Sequence, residues 1–305
     1  MNQPGDNKKF PDHRGVIVPL VTPVTAQGEL DESAAVRLVE NLAANRCGML
    51  VLGTTGEVAS ISHAMRRRYV EIAVQTTARR TPVFACIAHN CVADSIELAR
   101  DHLDAGADAV VAMLPGYFKL DPAGMEAYFT QLTAAIPGPL MIYNMPATTG
   151  MSIPLEVIER LSHLPRITGL KDSENTPGRR ELVAERLGGR PDFALFMGIA
   201  AHAVPALRLG FVGLVPSSGN LYPARWRKLY DAALAGDWTQ AEELQRQLDG
   251  INTVFQRNRI LGPSLAALKA ALAGQGLCGP HMLPPLQSLP AEEQAAICAE
   301  LQALG

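Results

Sequence analysis

The chain has 305 residues, 48% of them hydrophobic, and a formal net charge of −3. That length fits either about two ordinary domains or one α/β barrel with additions. The near-neutral charge, without a basic tract or basic–aromatic interleaving, excludes the electrostatic footprint of a nucleic-acid binder, and no apolar run reaches membrane-spanning length.

Residues 1–14 are polar, carry Pro4, Gly5 and Pro11, and lack the apolar core of a signal peptide. They predict a short disordered lead and a cytoplasmic protein. From there on, short β-branched runs alternate with helix-period segments. Val16–Val21 leads into a helix over Asp31–Ala44, Met49–Leu52 into Ala64–Thr77, and Pro82–Ile87 into Ala93–Leu103. Ala109–Met113 leads into Pro122–Ala135, Leu140–Tyr143 into Ile153–Leu161, and Ile167–Leu170 into Pro177–Leu187. Phe193–Met197 leads into His202–Leu209. Phe211–Val215 leads into a helix after Pro223, with Trp226 near its start and Trp238 just beyond its end. Asp31 and Pro154 make helix starts, and Gly48, Gly106, Gly138 and Gly210 fall where left-handed helix caps belong.

Eight strand–helix units predict an α/β fold, a closed (β/α)8 TIM barrel over residues 15–235. The alternative is an open doubly wound sheet, and the missing GxGxxG after the first strand counts against it. Thr239–Asn258, Gly262–Ala273 and Ala291–Leu304 predict three more helices, a C-terminal helical extension over residues 236–305. Five cysteines, odd in number and without CxxC spacing, argue against a disulfide framework or a zinc site and predict mostly small buried hydrophobes. Seven histidines form no HxH or HxxxH pair, so no metal centre is expected.

Barrel active sites lie where strands end at their C-termini, and four polar, turn-rich segments converge there. Gly53-Thr54-Thr55-Gly56-Glu57 follows the second strand, Tyr143-Asn144-Met145-Pro146 ends the fifth, Lys171-Asp172-Ser173 ends the sixth, and Pro216-Ser217-Ser218-Gly219-Asn220 follows the eighth. Lys171 closes the apolar run Ile167–Leu170. Alone it could be a lysine that snorkels to water; in a pocket it is an amine able to form a Schiff base. The glycine-flanked turn with Thr54 and Thr55 can hold a small carboxylate on backbone N–H groups and hydroxyls, or can be an ordinary capped βα turn. It lacks the GK[ST] of a phosphate loop. Tyr143, on the strand beside Lys171, is placed for proton relay, or is a half-buried tyrosine bonded to backbone. Glu57 reads as a carboxylate favoured by a helix N-terminus.

GTTGE, YNxPxxTG and GLKDS, in this order and spacing, resemble the dihydrodipicolinate synthase / N-acetylneuraminate lyase family from Gly15 to about Leu286. The resemblance implies a barrel with a helical tail and a lysine Schiff base to pyruvate or another 2-oxo acid, without a cofactor. It implies Lys171 as the Schiff-base lysine, Tyr143 as the relay tyrosine, and Thr54 and Thr55 as holders of the pyruvate carboxylate. Tyr117 matches the tyrosine that reaches a neighbouring subunit's site and completes a Thr–Tyr–Tyr relay, so a homotetramer built as a dimer of dimers is expected. The candidate catalytic set is thus Lys171, Tyr143, Thr54 and Tyr117; the candidate substrate-binding set is Thr54, Thr55, Gly56, Thr148, Val215 and Ser217.

Departures from the pattern narrow the activity. Thr148 stands where synthases proper carry an arginine, and threonine cannot reproduce a bidentate clamp on a carboxylate. Gly116 stands where lysine-inhibited members carry a tyrosine, which argues against feedback inhibition by lysine. After the seventh strand, Gly198-Ile199-Ala200-Ala201-His202 replaces the polar residues of sialic-acid lyases, and unpaired buried hydroxyls there would cost about 1–3 kcal/mol each. The expected function is a carbon–carbon lyase or aldolase acting on pyruvate, or a short 2-oxo acid of the 4-hydroxy-2-oxoglutarate or 2-keto-3-deoxy type, and an aldehyde. Ser217, Ser218, Asn220 and Thr148 remain available for hydroxyls. The alternatives are the synthase itself, a 2-keto-3-deoxy acid dehydratase, and a non-catalytic keto-acid-binding regulator.

Overall fold

The structure, a computed structural model, describes residues 14–304. The lead expected over residues 1–14 lies, apart from Arg14, outside the described residues. Eight parallel strands close into a barrel in the order β1 to β8. They are β1 Gly15–Pro19, β2 Gly48–Val51, β3 Val83–Cys86, β4 Ala109–Met113, β5 Leu140–Asn144, β6 Ile167–Asp172, β7 Ala194–Met197 and β8 Gly213–Leu214. β1 pairs with both β2 and β8, which rules out the open doubly wound alternative. The strands are covered on both sides, which is why they read as continuous apolar runs rather than alternating ones.

The connecting helices are α1 Glu32–Ala44, α2 His63–Thr77, α3 Val92–Asp104, α4 Pro122–Ala135, the short α5 Pro146–Thr149, α6 Leu155–Leu161, α7 Arg179–Leu187, α8 Ala203–Arg208 and α9 Pro223–Leu234. The C-terminal extension is α10 Trp238–Gln256, α11 Leu261–Gly274 and α12 Ala291–Ala303. Asp31 caps α1 by accepting from Ala34 N at 2.9 Å, as its sequence position implies. Trp238 does not fall between helices. Asp237 caps α10 by accepting from Gln240 N at 3.0 Å, so the tryptophan becomes the first helical residue.

Two of the four glycines expected as left-handed caps take that conformation: Gly106 at φ 100° and Gly210 at φ 91°. Gly48 and Gly138 do not, and after α1 the left-handed residue is Arg46, at φ 55°. Gly48 instead opens β2, where a Cβ would come within 2.5 Å of Ile17 Cδ1; the position needs the absence of a side chain, not an unusual φ. β8 is shorter than its five-residue apolar run because Gly213 lies against Phe196, whose ring would meet a Cβ at 2.2 Å. That ring fills the barrel interior edge-on to Phe84, 6.2 Å between centroids. Cys47, Cys86 and Cys278 are buried, whereas Cys91 is exposed and Cys298 half-buried.

One buried group stands apart from the apolar core. His102 on α3 is fully buried, and neither ring nitrogen has a hydrogen-bond partner. Burial, reinforced by Arg66, pushes its pKa from the usual 6.5 down to about 4. The folded protein therefore favours the neutral ring, so this contribution to stability is complete above about pH 6.5 and is lost as pH falls towards 4. From this one group the loss amounts to roughly 3 kcal/mol. Urea denaturation of the wild type and His102→Leu at pH 4.5 and pH 7 should show the variant losing less stability on acidification. An identical pH dependence would mean that the ring is already charged in the folded state.

Candidate active site

Lys171 and Tyr143 are register partners at the ends of neighbouring strands β6 and β5. Lys171 is 4% exposed, and its Nζ lies 3.8 Å from the centroid of the Tyr143 ring. Among the described residues no carboxylate pairs with this Nζ. On the other side of the phenol, Thr54 Oγ1 is 3.3 Å from the Tyr143 hydroxyl. Thr54, Tyr143 and Lys171 line one cavity of about 620 Å3 together with Thr55, Val215 and Ser217. An amine, a phenol and a hydroxyl in contact can form an imine and move the protons that its formation and breakdown require.

The next register pair, Asn144 and Asp172, at the very ends of the two strands, is buried and locks those ends together. Asn144 Nδ2 donates to Asp172 Oδ1 at 3.1 Å and to Glu174 Oε2 at 2.9 Å. Arg179 Nε donates to Asp172 Oδ2 at 3.0 Å, in a pair that is almost fully buried. Burial still pushes the Asp172 carboxyl above the usual range, although Arg179 and Asn144 pull it down. Arg179 had no signal in the sequence beyond its helix-start position.

The other proposed residues divide into two groups. Gly198, Ile199, Ala200 and Ala201 line the cavity, as the apolar wall expected after the seventh strand. Gly56 does not line it: its carbonyl accepts from Thr22 Oγ1 at 2.7 Å and its N–H closes the turn onto Gly53 O at 3.0 Å. Thr148 is exposed on α5, with its hydroxyl turned back to Met145 O at 3.3 Å, outside the cavity. Ser218 and Asn220, considered for substrate hydroxyls, are engaged in structure. Ser218 Oγ accepts from Trp226 Nε1 at 3.0 Å, while Asn220 donates to Pro19 O at 2.9 Å and accepts from Val21 N at 3.1 Å. Tyr117 is 77% exposed, packed edge-on to Phe118, and does not line its own chain's cavity.

Glu57 differs from its expected role. It sits in the left-handed region, φ 59°, and caps no N–H of the turn that follows. Its side chain runs into the core, where one oxygen meets Lys269 Nζ of α11 and the other accepts from Leu283 N at 2.8 Å. Lys269 Nζ also donates to His281 O at 2.7 Å, and both charged groups are essentially inaccessible to water. Burial lowers the Lys269 pKa and Glu57 raises it again. The pairing spans most of the chain and has only one trace in the sequence: Lys269 is the sole charge in the apolar stretch of α11. A second feature the sequence reading missed is a set of polar side chains on α10, including Asn252 and Arg257, which line the same cavity as Lys171.

A closed (β/α)8 barrel with these polar residues at its strand ends and a helical tail defines a lyase of the aldolase type. Comparison with known proteins agrees. The model of the dihydrodipicolinate synthetase family matches residues 12–304, and the chain belongs to that family. It is 33% identical to the 4-hydroxy-tetrahydrodipicolinate synthase of Halorhodospira halophila, over 96% of this chain and 97% of that one. Among solved structures, dihydrodipicolinate synthase from Bacteroides thetaiotaomicron superposes with a TM-score of 0.91 at 31% identity, covering 96% of this chain and 99% of the other. A prophage protein of the dihydrodipicolinic acid synthase family from E. coli K12, solved in complex with pyruvate, gives 0.89 at 29% identity, covering 95% and 98%.

Removing one partner of the Glu57–Lys269 pair strands the other charge in the core. Lys269→Met should cost about 3–5 kcal/mol in urea denaturation, and Glu57→Gln added to it should recover most of that loss. A double variant no more stable than the single one would show that the two side chains act independently.

Proposed function

We propose that the protein is a Schiff-base aldolase in which Lys171 condenses with pyruvate or a short hydroxylated 2-oxo acid. One observation carries this reading: an amine without a carboxylate partner lies against the ring of Tyr143, whose hydroxyl meets Thr54, inside one cavity. Lys171 Nζ, as the free amine, adds to the C2 ketone, and water leaves to give an iminium. The C3–C4 bond then breaks, and its electron pair moves towards the iminium nitrogen to give an enamine. Tyr143, which with Thr54 and Tyr117 as its relay has given a proton to the hydroxyl that left as water, takes the proton of the C4 hydroxyl as the aldehyde forms. It returns a proton to C3, and water releases pyruvate from Lys171. The Thr54–Thr55 turn holds the pyruvate carboxylate, with Val215 and Ser217 lining the same cavity.

The relatives are named for 4-hydroxy-tetrahydrodipicolinate synthesis, but this chain lacks a guanidinium at position 148, and Thr148 faces away from the cavity. Weak or no turnover with aspartate semialdehyde is expected in a coupled assay. Borohydride reduction in the presence of pyruvate should leave a pyruvyl adduct on Lys171 by peptide mass spectrometry and none in Lys171→Ala. Tyr143→Phe should lower kcat by about 10²–10⁴-fold, the usual weight of a proton-transfer group. An adduct on a different lysine sinks this mechanism.

The protein works, in this reading, as a cytoplasmic homotetramer in which Tyr117 serves a neighbouring copy. Its exposure beside Phe118 supports this, since two large aromatics rarely face water together without a partner surface. No helix among the described residues is long and apolar enough to cross a membrane. Mixing Lys171→Ala with Tyr117→Phe protomers under subunit exchange should restore activity that neither variant has alone. Failure to regain activity would mean that Tyr117 does not serve a neighbouring copy, and full activity of Tyr117→Phe alone would place it outside the relay.

A further inference from the structure

Helix α10 turns a polar stripe towards the chamber that holds Lys171. Asp249, Asn252, Thr253 and Gln256, with Arg257 just past the helix end, all line that cavity, and intervals of three, four and seven residues put the first four on one helix face. The same helix already buries an apolar face through Leu244, Leu248, Ile251 and Phe255, so packing accounts for that face and not for this one. Asn252 is 6% exposed, and neither atom of its amide makes a hydrogen bond. It stands near Asp249, whose carboxyl is pushed up by burial and pulled down by the Gln245 and Asn252 amides. Asp249 accepts from Gln245 at 2.8 Å. A buried amide without partners lowers the stability of the free protein. Such a group, lining a reaction chamber, is explained by a ligand that completes it.

Arg257 follows the last residue of α10, about 7–8 Å further along the axis than Asn252 at 1.5 Å per residue. Its guanidinium is 3.1 Å from both carboxylate oxygens of Glu300. Both side chains are solvent-exposed, 53% and 42%, so this pair is weak and a ligand carboxylate can replace Glu300. Asp249 lies at the other end of the stripe and repels a ligand carboxylate. The face therefore has a direction, from an acidic end that suits a hydroxyl to a basic end that suits an anion. A chamber of about 620 Å3 is within the size range of sites for ligands much larger than three-carbon pyruvate.

We propose that the inner face of α10 recognises the aldehyde-derived half of the substrate, Asn252 binding a hydroxyl and Arg257 a terminal carboxylate. The substrate is then a hydroxylated 2-oxo acid with a second carboxylate at its far end. This rests on Lys171 forming the Schiff base with the pyruvate half.

The test uses the full chain, pyruvate, and two aldehydes of equal length: tartronate semialdehyde, which ends in a carboxylate, and glyceraldehyde, which does not. The wild type should prefer the first in kcat/KM. Arg257→Met should raise KM for tartronate semialdehyde at least tenfold, with kcat within about twofold, and leave glyceraldehyde unchanged. Glu300→Gln should lower KM for tartronate semialdehyde alone. Asn252→Leu should raise KM for both aldehydes while making the protein more resistant to urea, because it removes an unpaired buried amide. Equal effects of Arg257→Met on both aldehydes, or none, overturn the proposal, as does a loss of stability in Asn252→Leu. If pyruvate is trapped on Lys171 but tartronate semialdehyde is not turned over, the role of α10 fails and the Schiff-base reading survives. If pyruvate is not trapped, both fail together.

Discussion

The ion pair between Glu57 and Lys269 joins the turn that carries Thr54 and Thr55 to the helical extension, and the arrangement of the barrel mouth depends on it. Taking two charges out of water is expensive, and their attraction repays it only when the remaining hydrogen-bond capacity is also met. Here the Leu283 N–H and the His281 carbonyl help to meet it, both from the segment after α11. The pair therefore fixes a strand turn, a helix and the chain beyond that helix together. It also explains why a non-glycine residue stays in the left-handed region at position 57. That conformation aims the carboxylate inward, and the strain is set against a buried charge that has nowhere else to go.

On the opposite side of the mouth the positioning is done by strand register. Adjacent rungs of β5 and β6 bring Tyr143 to Lys171 and Asn144 to Asp172. Tyr143 and Lys171 line the cavity, while Asn144 and Asp172, one residue nearer the strand ends, form a closed polar network anchored by Arg179. A side-chain network with its partners in place resists distortion, so the amine and the phenol inherit their spacing from the residues that follow them on the two strands. Lys171 and Tyr143 thus stand on strand ends held by that network, while helices and loops complete the cavity around them.

Sequence alone located the barrel and the polar residues now gathered around its cavity because both leave local traces: apolar runs interrupted by glycine turns, and polar residues where those runs stop. It misjudged residues whose partners are remote. Ser218 and Asn220 looked available because Trp226 and β1 cannot be seen to face them until the barrel closes. Glu57 looked like a helix-end carboxylate because Lys269 lies on a helix far along the chain. Thr148 looked like a cavity residue because its place in the motif says nothing of the short helix that turns it outward. The polar stripe of α10 had the right spacing in the sequence, but on a predicted surface helix such spacing ordinarily means a solvated face.

Asn220 gives the barrel an unusual closure. β8 contributes only Gly213 and Leu214, which pair with Gly15 and Val16 at the far end of β1. At the mouth, where a longer strand would have continued the ladder, the Asn220 amide reaches across instead, bonded to Val21 N, Pro19 O and Ser217 O. The two seams that β8 makes have only two register pairs each, and the one with β1 is closed at its upper edge by one side chain. Pro19 and Ser217, whose carbonyls accept from that amide, also line the cavity, so this part of its wall takes its position from a side chain rather than from a strand ladder.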